Sequence, residues 1–138
     1  MNQINTTQMD FTAALQARLE RLQRWRPLIE KALRRARSLV TFTDLVQSIC
    51  QGQRFLFDNG NSFAIVQLDM NPSGNALYIY VAGGDYKALY ELEETVVQFG
   101  RHMNCCRLST SGRKGFLRRN RPNGWEPTNQ IMFVKEII

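Results

Sequence analysis

The sequence predicts an α+β fold (α/β-like): a mixed central sheet with an antiparallel meander, flanking helices and an extra helical N-terminus. Three observations carry this expectation. Residues 54–83 hold three strand-like runs separated by two tight-turn signals. After Gly83-Gly84 the apolar period changes from that of a strand to that of a helix. Leu89, Leu92, Val96, Phe99 and Met103 then fall on one helical face. A further strand-like run, CRLST at 106–110, follows the helix, so strand, diglycine turn, helix and strand make a βαβ unit.

Taken in order, residues 1–9 are polar and carry no apolar pattern. From there Phe11, Leu15, Leu19, Leu22 and Trp25 recur at spacings of four and three, with Asp10 as the N-cap. Pro27 predicts a break and the first turn of a second helix. In that helix Leu28, Ile29, Ala32, Leu33 and Ala36 oppose Arg34, Arg35 and Arg37. Residues 1–39 therefore read as basic amphipathic helices that either pack on the domain at 40–138 or form a docking arm. Trp25 and the arginines are residue types that anchor interfaces.

Thr41 or Thr43 can cap a short helix through Leu45, Val46 and Ile49 that closes at Gly52. RFLF (54–57), SFAIVQLDM (62–70) and NALYIYVAG (75–83) are the meander strands, turned at Asp58-Asn59-Gly60-Asn61 and Asn71-Pro72-Ser73-Gly74. Asp85 is placed to cap the central helix. RKGFLRRN (113–120) predicts a short basic helix, RPNGWEPT (121–128) a loop, and QIMFVKEI (130–137) the closing strand.

At 138 residues the chain suits one core-forming domain. No apolar run approaches the roughly 20 residues of a membrane span, and the MNQINTTQMDF start lacks secretory-signal features. A soluble, intracellular protein without membrane contact is expected. Cys50, Cys105 and Cys106 have no metal-ligand spacing and are expected to be ordinary buried thiols. His102 is the only histidine, which argues against His-rich metal sites and catalytic triads. The net charge of +6 is unevenly spread. Residues 10–37 hold eight basic and three acidic residues, 38–100 hold two and seven, and 101–121 hold seven and none. An acidic middle between basic flanks suits contact with phosphates, nucleic acid or an acidic protein face, or a solvated surface balanced within the fold.

The element order resembles the GCN5-related N-acetyltransferase (GNAT) fold over roughly residues 40–138. The VAGG-D turn matches the junction that holds the acyl-CoA pyrophosphate, and Gly124-Trp125 matches the Gly-Phe after the last short helix. The string TFTDLVQSICQG…IVQ…LYIYVAGGD…SGRKGFLR is similar to small GNAT-like proteins of tailed bacteriophages. Two features of working acetyltransferases are missing. The Q/R-x-x-G-x-G/A loop is replaced by Val81-Ala82-Gly83-Gly84-Asp85, whose acid opposes phosphate at a helix N-terminus. The helix GRKGFLRRN also lacks the tyrosine that serves as general acid to the departing thiolate.

The expected function is that of a catalytically degenerate GNAT-like phage protein with a structural role at the portal, head–tail or tail region. It would pass through the host cytoplasm during assembly and finish in the virion. Contact with a phage structural protein, or self-association, would use Trp25, Arg34, Arg35, Arg37, Arg113, Arg118, Arg119 and Arg121. Nonspecific nucleic-acid contact through the 113–121 cluster is a further expectation. No cofactor, catalytic residue or metal ligand is expected. The alternative is an acetyl-CoA-dependent N-acetyltransferase. In it Gly83, Gly84, Arg113 and Lys114 would hold acetyl-CoA or CoA, with Tyr86 and Tyr90 nearby and Glu91, Glu93 or Glu94 as base.

Overall fold

The computed structural model describes residues 3–112 and 114–137. It has the order α1 (Gln3–Arg35), α2 (Phe42–Cys50), β1 (Arg54–Asp58), β2 (Ser62–Asp69) and β3 (Asn75–Gly84). α3 (Tyr86–His102), β4 (Cys105–Thr110) and α4 (Lys114–Asn120) follow, then a 3-10 turn, Arg121–Asn123. One four-stranded sheet runs in the order β1-β2-β3-β4. The first two pairings are antiparallel and β3 lies parallel to β4, so the mixed sheet and its meander are as expected. The parallel pair requires a crossover, and α3 supplies it.

Two cores cover the two faces. Leu22, Trp25, Ile29 and Leu33 of α1 join Phe42, Leu45 and Ile49 of α2 over Phe63, Ile65 and Val81. On the other face Leu92 and Val96 of α3 pack over Ala64, Val66 and Leu77. The second half of α1 thus shares the sheet's own core. Arg21 and Arg24 also reach the β1–β2 turn. Arg21 donates to Asp58 Oδ1 through Nε at 2.9 Å and Nη2 at 2.6 Å, and Arg24 donates to the Gly60 carbonyl at 2.6 Å.

The expected break at Pro27 does not occur, and α1 runs through it. A proline inside a helix costs about 3 kcal/mol. Trp25 and Ile29, one on each side of it, are 7% and 0% exposed against the sheet, and burial of such side chains exceeds that cost. α2 begins on a complete capping box. Thr41 Oγ1 accepts from the Asp44 amide at 3.2 Å, and Asp44 Oδ2 accepts from the Thr41 amide at 2.8 Å. The Thr41 amide holds the Asp44 carboxyl below its usual range.

β3 carries one extra residue. Ile65 pairs with Val81 but Val66 pairs with Ile79, which leaves Tyr80 as a bulge. The bulge reverses the face of everything beyond it. Leu77 and Ile79 face α3, whereas Val81 joins the α1 core. No feature of the string LYIYVAGG announces the bulge.

Two further expectations fail. Residues 130–137 form no strand; Ile131, Met132, Phe133 and Ile137 are 78–91% exposed. A strand needs another strand's edge for its backbone groups, and this segment meets none. The cysteines are not buried: Cys50 and Cys106 are exposed and Cys105 is half-buried. Cys50 ends α2, and Cys105 and Cys106 lie on the edge strand β4, so neither element can enclose them. Partial burial, with the Cys106 thiol beside it, pushes the Cys105 thiol upward.

Candidate functional site

β3 and β4 are paired from Asn75↔Cys105 to Ile79↔Thr110. Past that point β4 ends while β3 continues through the Tyr80 bulge to Gly84, so the two strands part. A cavity of about 500 Å³ fills the opening. Val81 and Ala82 of β3 floor it, Thr110, Ser111 and Gly112 form one side, and Tyr86, Leu89, Tyr90 and Glu93 of α3 form the other. Phe116, Asn120 and Trp125 close one end, and Ala32, Arg35 and Ala36 of α1 reach the rim. The lining is mainly apolar with a few hydroxyls, the character of a small-molecule cleft.

The far wall is built by α4 and the turn after it. Asn120 is 5% exposed and donates to the Phe116 carbonyl at 2.8 Å. Gly124 takes φ +92, a value that suits glycine, and turns the chain so that Trp125 folds inward. The Trp125 ring stands edge-on to Phe116 at 5.2 Å, and its Nε1 donates to Glu93 Oε1 at 2.8 Å. That bond occupies Glu93, the half-buried acid among the three proposed bases. Glu91 and Glu94 are exposed, and Glu94 accepts from Gln98 at 3.0 Å.

The diglycine turn is used for packing. A Cβ on Gly83 would lie 2.9 Å from Phe63 Cε1. One on Gly84 would lie 2.7 Å from Ser62 Cα and clash with the Asn61 carbonyl, and Gly84 also takes φ +105. The Asp85 amide donates to that same carbonyl at 2.8 Å. Asn59 links the turn to the helix: its Nδ2 donates to the Ala88 carbonyl at 2.8 Å, and its Oδ1 accepts from the Ser62 amide and hydroxyl. The N-terminus of α3 is capped from within, because Asp85 Oδ2 accepts from the Ala88 amide at 3.0 Å. A pyrophosphate there would meet a carboxylate, and a fixed one. The residues present do not fit the phosphate end of acyl-CoA.

The remaining expected site residues divide. Arg35 lines the rim, and Arg119 lies over the Tyr86 ring at 5.0 Å while its carbonyl accepts from the Tyr86 hydroxyl at 3.4 Å. The fold thus brings cations from α1 and α4 to one opening. Arg34, Arg118 and Arg121 are exposed. Arg37 pairs with Glu136 at 2.7 Å. Trp25 does not reach the surface as an interface anchor would. It packs on Phe63 at 5.1 Å and donates to Asp58 Oδ2 at 3.1 Å. Arg113 and the side chain of Lys114 lie outside the described residues.

Asp58 lies on β1, the edge strand farthest from β4, in the row that runs through Phe63 to Gly83. Burial alone would raise its carboxyl. Hydrogen bonds from Arg21 and Trp25, with the charges of Arg21 and Arg24, outweigh that and hold it below the ordinary value. Among the described residues no group of three or more His, Cys, Asp or Glu could hold a metal, and no helix is long and apolar enough to cross a membrane.

The sequence called attention to the glycines and the basic cluster but not to the cleft. Ala82, Thr110, Ser111 and Asn120 each lie in a string that stands out in the sequence, but nothing in those strings places them around a cleft. Only the bulge and the parting of the strands bring them together.

No protein-family model matches the chain, and no curated protein does. Solved structures do. A probable acetyltransferase superposes with a TM-score of 0.64 at 12% identity, over 87% of this chain and 93% of that one. An aminoglycoside N-acetyltransferase solved in complex with CoA gives 0.64 at 14% identity, over 83% and 88%. A protein from Thermus thermophilus gives 0.60 at 18% identity, over 86% and 92%. At these identities the likeness is one of fold. It agrees with the mixed four-stranded sheet and flanking helices described above: the chain has a GNAT-like fold.

Proposed function

We propose that the chain is a catalytically degenerate GNAT-like protein that works by binding and assembly, without acetyl transfer. One observation carries this reading. The amide end of α3, where an acyl-CoA pyrophosphate would dock, is held by the chain's own Asp85 carboxylate, and Gly84 is pressed onto Ser62. The exposed Arg34, Arg118 and Arg121, with Arg35 and Arg119 beside the cleft, support contact with an acidic protein face or, less selectively, a nucleic-acid backbone. The resemblance of the 41–118 string to GNAT-like proteins of tailed phages supports a portal, head–tail or tail component as that partner. The virion would then be its destination and the host cytoplasm its place of assembly.

A thermal melt with millimolar acetyl-CoA tests the reading, because a ligand that binds the folded chain raises its melting temperature. The expected shift is below about 1 °C, with no CoA in mass spectra of copurifying material. A rise of several degrees that is lost in Ala82→Leu, which fills the cleft floor, would overturn it. That outcome would favour an acetyl-CoA-dependent N-acetyltransferase. The cleft itself supports this second reading, since it lies between the parted strands and has a mainly apolar lining.

A further inference from the structure

We propose that the cleft takes a small, linear zwitterion, its ammonium end toward α3 and its carboxylate end toward α1. The inference is independent of whether the chain transfers acetyl groups, because it concerns only what the cleft holds. Its first ground is where the cleft lies. β3 and β4 part beyond Ile79↔Thr110, so the opening passes through the sheet. Ala32, Arg35 and Ala36 of α1 line one end of it, and Leu92, Glu93 and Val96 of α3 line the other. The two helices cover opposite faces of the sheet. The two ends are therefore separated by the thickness of the sheet.

The second ground is charge. Arg35 and Glu93 are the lining residues that carry full charges. They are of opposite sign, one at each end. Glu93 is half-buried, and its Oε1 accepts from the Trp125 indole at 2.8 Å. That donor is neutral, and among the described residues no cation pairs with Glu93. A carboxylate so placed gains most from a charged donor. Tyr86, Tyr90, Phe116 and Trp125 line the cleft on the same side, and aromatic rings also favour a cation. Tyr86 already shows that preference, with the Arg119 guanidinium 5.0 Å from its ring centre. At the other end Arg35, in the last turn of α1, offers a planar guanidinium that suits a carboxylate.

The third ground is the stretch between the charges. Ala64, Ile79, Val81 and Ala82 line the waist. The hydroxyls beside them are engaged: Thr110 donates to the Ile79 carbonyl at 3.0 Å, and Ser111 accepts from the Tyr78 hydroxyl at 3.0 Å. The middle of the ligand is therefore apolar.

These charges select among ligands. A phosphate at the α3 end would meet Glu93 and the Asp85 cap. A plain hydrocarbon would leave both charges unmatched. An α-amino acid, whose charges are adjacent, cannot reach both faces of the sheet. A linear ω-amino acid can, because methylenes separate its ammonium from its carboxylate.

Calorimetry on the full chain, without acetyl-CoA, tests this with ω-aminoalkanoates from aminohexanoate to aminododecanoate. At least one length is expected to bind about tenfold or more tightly than the alkanoate and the alkylamine of equal length, as one charged contact contributes. Glu93→Gln keeps an acceptor for Trp125 but removes the charge. It is expected to abolish the preference over the alkanoate and keep that over the alkylamine. Arg35→Gln is expected to do the reverse, and both variants should retain the parent's circular dichroism. The proposal is overturned if no member of the series outbinds both singly charged analogues, or if both preferences survive both substitutions. A chain that binds an ω-amino acid and also melts several degrees higher with acetyl-CoA would keep this inference and lose the non-catalytic reading.

Discussion

Two apolar segments of this chain meet opposite fates. In α1, Leu22, Trp25, Ile29 and Leu33 are all at most 7% exposed, whereas every large apolar side chain among residues 131–137 is more than half exposed. The difference lies in the backbone. A helix bonds its own amides and carbonyls, so one apolar stripe at spacings of three and four suffices to bury it. A strand must borrow another strand's edge, and the apolar run at 131–134 pairs with none. A helix needs only its side chains covered; a strand needs its backbone paired as well.

The largest effect expected from breaking that contrast is at Trp25. Trp25→Ala removes the ring from Phe63 and the donor to Asp58, and should cost about 3–5 kcal/mol in urea unfolding. A loss below about 1 kcal/mol would mean that α1 is a detachable arm after all.

An intermediate effect is expected at the polar end of the same contact. The Asp58 carboxyl is held below its ordinary value of 3.8. Its contribution is therefore complete above that value and is lost as pH falls through the depressed folded one. Asp58→Asn should cost about 2 kcal/mol at neutral pH, from charged hydrogen bonds to Arg21 and Trp25. It should also flatten the loss of stability below pH 3.8. An unchanged acid limb in pH-dependent melts would remove Asp58 from the account.

The smallest effect belongs to the other segment. In dilute solution Ile131→Ala should change unfolding free energy by less than about 0.5 kcal/mol, since nothing in the same copy covers the side chain. The cost should grow with protein concentration if a second copy covers it. A large cost that is independent of concentration would place the segment in its own chain's core.

Local chemistry made much of the fold readable. The turn residues at 58–61 and 71–74, the Thr41 cap and Asp85 at the start of α3 act within a few residues, and each stands where the pattern puts it. Pro27 misled because its penalty is local, whereas its compensation, Trp25 and Ile29 on the sheet, is tertiary. Trp25 misled for a related reason. Tryptophan suits interfaces and cores alike, and only the position of Phe63 and Asp58 decides between them. The glycines at 83 and 84 were visible as a turn. Their use became clear only from the approach of Asn61 and Ser62.

By itself the amino-acid sequence determined the mixed sheet, the meander, the crossover helix and its acidic cap, because period, turn chemistry and capping are short-range. The tertiary structure alone decided the rest. One bulged residue, Tyr80, reversed the face of β3, and the parting of β3 from β4 opened the cleft. The sheet also stopped at β4 with an apolar segment left over. These depend on which backbone groups meet across the chain, and no local pattern encodes that meeting.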